Sequence, residues 1–230
     1  MLFFKTHDAV FASRPKTQFG KYISYGNKGV VPAQYGLYWR SMRRLCTTEL
    51  LTNAKIEMFK DVRGEELRSL VEELKVAANA GEVVDVSEKV DLLVEDMVYR
   101  MFFGKKDYQL MDSKVNLREG LWLAGSFNLI DFLPFLAPFD IQGLTHRNKS
   151  FGKDLDRLLM TIIDDHEKHP RGNQRDIIDI MLSLMDSNNA KDVQFDLVDI
   201  KAIVTDLILA GIDISATTIL WAFSEVMKRS

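Results

Sequence analysis

The chain has 230 residues, 47% of them hydrophobic and 10% aromatic, which is ample for the core of one large domain or part of one. A net charge of −3 gives no global attraction to nucleic acid, and a single Cys excludes an internal disulfide framework and a Cys-based zinc site. Five Pro and thirteen Gly are too few for the repeated turns of a β-sandwich. At the start, Met1-Leu2-Phe3-Phe4 is apolar, but Lys5, His7 and Asp8 follow at once, so no secretory leader is expected. Tyr22-Ile23-Ser24-Tyr25 comes nearest to strand alternation and is too short to found a sheet. Aromatic and basic residues at helical spacing predict a helix over residues 36–51. Ile56, Phe59, Val62, Leu67, Leu70, Val71 and Leu74 recur at three and four and predict the next over 56–78, stopped by Asn79-Ala80-Gly81-Glu82. Ser87 is the expected N-cap of a helix ending at Gly104. A further helix is expected over 114–129, and Pro134 and Pro138 make 131–140 an irregular apolar loop. Helix resumes from Ile141 to His169 and stops at Pro170. A short helix covers 174–187, Asp186-Ser187-Asn188-Asn189 forms a turn, and the last helix begins near Asp196. The expected fold class is mainly α, with no internal repeat.

The last helix is the unusual one. Between Leu207 and Phe223 its only charge is Asp213, which fits a helix buried on most sides. Asp206 and Asp213 break the apolar run short of the roughly 20 residues that a bilayer needs. Gly211 in mid-helix costs about 0.5–1 kcal/mol relative to Ala. A buried carboxylate costs more unless it is paired. Two such defects on adjacent turns point to something lying against the helix, and on the residues alone a closely packed neighbouring helix would serve.

Other clusters carry two readings each. Trp39 and Arg43 stand four apart on one helix face, as a carboxylate-binding fork beside an indole donor or as a surface Arg beside a half-buried Trp. Arg40 and Arg44 form a second such pair, and with Arg43 they make a basic patch that is either a docking surface or a solvated face. Glu65 and Arg68 read as an ordinary i, i+3 ion pair. His166 and His169 are spaced for a shared ion, but no third ligand is evident, so a solvated helix end is expected and no metal site. Phe127 to Phe139 carries four Phe and two Pro, which favours an apolar partner, substrate or membrane.

Ala210-Gly211-Ile212-Asp213, followed by Ser215-Ala216-Thr217-Thr218-Ile219 and Trp221-Ala222, resembles the oxygen-binding helix of cytochrome P-450 haem-thiolate monooxygenases, above all the plant microsomal branch. Further segments are similar to the family's in the family's order. His7-Asp8-Ala9-Val10-Phe11-Ala12-Ser13-Arg14-Pro15 looks like the end of its second helix. Trp39-Arg40-Ser41-Met42-Arg43 matches the W-R-x-x-R pattern of its third, and Glu95 to Gly104 is similar to its fifth. Asp131 to Leu136 and Asp140 to Leu144 look like the loop and helix that roof the substrate cavity.

The resemblance runs from about residue 1 to the C-terminus and implies the N-terminal and central helical part of the cytochrome P-450 fold. Residues 1–230 would be a single partial domain, without the membrane anchor before it and the haem-ligand region after it. It implies haem as cofactor, with Trp39 and Arg43 holding a propionate, Ala210 and Gly211 passing over the haem face, and Asp213 delivering protons with a following Thr. Two departures stand out. Ile214 occupies the position of that Thr and has no hydroxyl, while Ser215 lies about 100° further round the helix. The one thiol, Cys46, follows Arg43 on the same predicted helix with no Gly turn, so it is expected in the core and the axial Cys ligand is absent from this chain. The parent implied is a monooxygenase inserting one oxygen atom from O2 into a small apolar substrate. It would use NADPH through a flavoprotein reductase, on the cytoplasmic face of the endoplasmic reticulum membrane, with no nucleic-acid partner. The alternative is a non-catalytic truncated helical protein or partner-binding module.

Overall fold

The long helices form where the apolar spacing predicts them, the short helix at Gln18–Tyr22 was not foreseen, and several N-termini are capped by Asp, Asn or Thr side chains. The structure is a computed structural model that describes residues 6–104, 115–169, 176–187 and 195–229. Its helices are α1 (Asp8–Phe11), α2 (Gln18–Tyr22), α3 (Leu37–Leu45), α4 (Asn53–Met58), α5 (Lys60–Ala80), α6 (Val86–Phe103), α7 (Leu117–Gly125), α8 (Leu129–Phe132), α9 (Leu144–Lys168), α10 (Ile177–Asp186) and α11 (Leu197–Met227). Among the described residues there is no strand. Tyr22 ends α2, and Tyr25 and Asn27 adopt left-handed backbone in the turn that follows, so this segment is not extended.

The boundaries differ from expectation where a side chain offers a better cap. Asp85, not Ser87, caps α6, because its carboxylate accepts from the N–H groups of Ser87 and Glu88 at 2.9 and 3.2 Å. The predicted 36–51 helix is α3 followed by a π-helical turn over Cys46–Leu50. The 56–78 helix divides at Phe59 into α4 and α5. The 114–129 helix reduces to α7 and restarts as α8, where Asn128 accepts from Ile130 N–H at 3.1 Å. The start of α9 moves to Leu144 because the Asp140 carboxylate accepts from Thr145 and His146 N–H at 3.0 and 2.8 Å. Capping boxes Asp176/Asp179 and Asp196/Asp199 open α10 and α11. Pro170 and Asn188-Asn189 lie outside the described residues.

α6 and α11 form the central pair, with α5 against the outer side of α6 and α10 touching α6, α9 and α11. Val94, Val98, Ile163, Ile178, Met181, Ile200 and Ile203 fill the space between them. α7 crosses α9 and α11, and α2 lies on α9. That last approach depends on Gly152, where a Cβ would collide with the Tyr22 carbonyl. Arg100 of α6 pairs with Glu65 and Glu66 of α5, so Glu65 joins two helices and does not pair with Arg68.

His166 is buried and is not part of a solvated helix end. Its Nδ1 lies 2.7 Å from the Ile162 carbonyl and its Nε2 2.7 Å from Asp176 Oδ2. Both partners are acceptors when Asp176 is ionised, so imidazolium beside carboxylate satisfies all three groups. His166, Asp176 and Asp179 bring ligand atoms within 4.8 Å of one another. These atoms are committed to the His–Asp bond and the capping box, so the cluster fastens α9 to α10.

Candidate functional site

α11 changes character halfway along. Ile200, Ala202, Ile203, Val204 and Ile208 are buried, whereas Ala210, Asp213, Ile214, Ser215, Thr217 and Trp221 are exposed. The helix is long and apolar enough to cross a membrane by length and composition, with mean hydropathy 1.7 in its most apolar window, of which 44% is buried inside the fold. Its first half is packed into the core and its far half is exposed. The expectation of burial on most sides therefore holds only for its first half. Asp213 is an exposed carboxylate. The buried acids of the helix are Asp199 and Asp206.

At about 100° per residue, Asp206, Ala210, Asp213 and Thr217 share one stripe of α11. Asp206 is covered by the loop before α3, and the rest of the stripe is exposed. On the neighbouring face Ala210, Gly211 and Ser215 line an apolar groove of about 580 Å³, closed on its other sides by Phe59, Val98 and Phe102 among others. A Cβ on Gly211 would meet only Val98 Cγ2, at an ordinary 3.9 Å. Nothing in the described chain therefore requires a glycine there. Ile214 is 65% exposed and brings no hydroxyl. Thr218 turns back to donate to the Ile214 carbonyl at 2.7 Å. Ser215 lines the groove, away from the Asp213 stripe, so these two residues address different faces.

Trp39 and Arg43 sit together on α3. The Arg43 guanidinium stands 5.0 Å from the Trp39 ring centroid, and Arg43 makes no ion pair among the described residues. The Trp39 indole N–H donates to the Val30 carbonyl at 3.0 Å, so it is not a free donor for a ligand carboxylate. The free charge at this place belongs to Arg43, and Trp39 serves as its platform. Arg40 donates to the Tyr35 hydroxyl at 2.8 Å, and Arg40, Arg43 and Arg44 are all exposed. Among the described residues Arg43 does not hydrogen-bond to the Ala210–Ser215 turn. The connection runs through Val30 to Asp206, one turn before Ala210, and the residue spacing gave no sign of this link.

Burial and then the Asp206 charge push the Cys46 thiol up to about 12, and Cys46 is a core residue. A thiol so placed stays protonated at neutral pH and is not presented to the exposed face of α11. Arg43 offers an exposed cation, and Ala210 and half-buried Gly211 offer small residues at the edge of the apolar groove.

The family model for Cytochrome P450 matches residues 2–230. The chain is 47% identical over 233 residues to Cytochrome P450 CYP736A12 of Panax ginseng, covering 99% of this chain and 47% of that protein. It is 36% identical to a Germacrene A hydroxylase of Saussurea costus, covering 97% of this chain and 45% of that enzyme. A zebra fish cytochrome P450 solved with progesterone has the same fold, with TM-score 0.76 at 22% identity over 99% of this chain and 53% of its own. The chain thus spans about half the length of the curated relatives it matches. A helical architecture with these motifs in order, matched over its length, places the chain in the cytochrome P450 family.

Proposed function

We propose that residues 1–230 are part of a haem-dependent monooxygenase that inserts one oxygen atom from O2 into a small apolar substrate. The observation that carries this reading is the bare Ala210–Gly211 turn, a costly mid-helix glycine that no atom of the described chain demands. Haem, when bound there, supplies the activation of dioxygen. Arg43 supplies a cation for a propionate, with the Trp39 ring setting its direction. Asp213, exposed on the same stripe as Ala210, takes up protons from water and passes them to that face. Ile214 removes the hydroxyl that would share this task. Electrons come from NADPH through a flavoprotein reductase, for which the exposed Arg40, Arg43 and Arg44 offer a basic docking face. The exposed Phe127, Phe132, Phe135 and Phe139 suit the cytoplasmic surface of the endoplasmic reticulum membrane, which an anchor outside residues 1–230 would hold close. The axial Cys would come from sequence outside residues 1–230.

The reduced carbon monoxide spectrum tests this. The 230-residue chain supplied with hemin is expected to show no thiolate-type Soret band. Co-expression with the remaining C-terminal part of the Panax ginseng relative is expected to produce one. A thiolate-type band from the chain alone would overturn the placement of Cys46. Failure of the combined halves to take up haem would favour a non-catalytic partner-binding module.

A further inference from the structure

A run of hydrogen bonds links α11 to the basic cluster on α3. Buried Asp206 accepts through a single oxygen, Oδ2, from Val30 N–H at 2.7 Å and Val31 N–H at 2.9 Å. The carbonyl of Val30 accepts the Trp39 indole N–H at 3.0 Å, and the Trp39 ring carries the Arg43 guanidinium. Gly29 makes the approach possible. Its φ is +91°, a left-handed conformation, and a Cβ there would run into Asp206 Oδ2. Tyr38 ties the same loop to α11 two turns earlier, accepting from Gly29 N–H at 3.0 Å and donating to Asp199 at 2.9 Å. Lys28 of this loop also pairs with Asp199, at 2.9 Å, and Asp206 is the group that holds the Val30 and Val31 amides, whose N–H groups would lose their acceptor without it.

We propose that Asp206 is a positioning residue which, by holding Val30 and Val31, fixes the Trp39 ring and through it aims Arg43 at a porphyrin propionate. This rests on the reading of Arg43 as the propionate's partner. Asp206 touches no ligand itself. Because one oxygen accepts both bonds, an amide oxygen can replace it, whereas a methyl group cannot. Asp206→Asn therefore keeps the clamp and Asp206→Ala releases it. Gly29→Ala probes the same contact from the loop side.

The test uses the 230-residue chain in a background where Trp122→Phe and Trp221→Phe leave Trp39 as the only indole. Acrylamide quenching of Trp39 and hydrogen exchange at the Val30 and Val31 amides report the clamp with no ligand present. Hemin and its dimethyl ester, whose propionates are blocked, report the aim of Arg43 through the ratio of their affinities. Asp206→Ala and Gly29→Ala are expected to raise both quenching and exchange, and to lower the preference for hemin over the ester by about tenfold, as loss of an outer orienting partner typically does. Asp206→Asn is expected to restore all three. Folded Asp206→Ala protein with unchanged quenching and exchange would overturn the clamp, as would an Asn variant that behaves like Ala. If Asp206→Ala does not fold, Gly29→Ala decides by the same readings. A parent chain with no preference for hemin over its ester, or one whose preference survives Arg43→Leu, would instead defeat the propionate reading while the ligand-free measurements still judge the clamp.

Discussion

Asp206 carries a titration as well as a clamp. Burial raises its carboxyl to about 6, against the N–H bonds of Val31 and Val30, which pull the other way. An unfolded Asp titrates at about 3.9. The folded state therefore binds the proton more tightly, and the contribution of Asp206 to stability is complete below about pH 4 and lost as pH rises through about 6. Asp206→Asn cannot titrate, so urea denaturation is expected to show its stability relative to the parent improving by roughly 1–3 kcal/mol between pH 4 and pH 7.5. A gap that stays constant with pH would mean that Asp206 titrates normally. His166 is the second residue with an outsized role. His166→Ala would remove the ring that Asp176 Oδ2 pairs with in the buried interior, at an expected cost of about 3–5 kcal/mol in equilibrium unfolding at neutral pH. A loss below 1 kcal/mol would show that this bond is not an ion pair.

At the scale of the element, α11 is two helices in one. Its first half holds the core together, and its second half presents a surface. Ile203 is fully buried, so Ile203→Ala is expected to cost about 2–5 kcal/mol. Ile214→Thr, eleven residues on, is expected to stay within about 0.5 kcal/mol of the parent in the same denaturation series. If the complete protein is the proposed monooxygenase, the added hydroxyl should raise product formed per NADPH consumed, since a placed general acid is typically worth about 10²–10⁴-fold. Unchanged coupling would make Ile214 part of the native mechanism. The Val30 and Val31 amides of the loop before α3 are held by α11 and not by the loop's own turn.

At the scale of the whole molecule, the first half of α11 lies in the core and its far half is left uncovered. Ile214, Trp221, Val226 and Met227 are each more than half exposed, and the groove of about 580 Å³ beside Gly211 has apolar walls. Exposed large apolar side chains beside an apolar groove suit a partner surface. The 230-residue chain is expected to bind an environment-sensitive dye such as anilinonaphthalene sulfonate while folded. Dye fluorescence should fall when hemin is added or when the remaining half of the relative is co-expressed. A folded chain that ignores the dye would mean that this face is covered by self-association.

The helical class, most helix cores and the family were legible in the amino-acid order, because apolar spacing at three and four and short local motifs do not depend on distant contacts. So was the strangeness of Gly211, since a glycine in mid-helix is costly wherever the helix lies. Boundaries such as Asp85 and Asp140 were not, because neighbouring polar residues compete for the same free N–H groups and only the backbone path selects the winner. The spacing of Trp39 and Arg43 placed them on one face, yet it could not show that the indole N–H is spent on Val30. Nor could it show that His166 meets Asp176 across a helix break, or that Asp206 and not Asp213 is the buried acid. Sequence alone determined which side chains this chain can offer to a cofactor. Tertiary structure decided which of them remain free, because burial and hydrogen-bond partners are set by segments far apart in the chain.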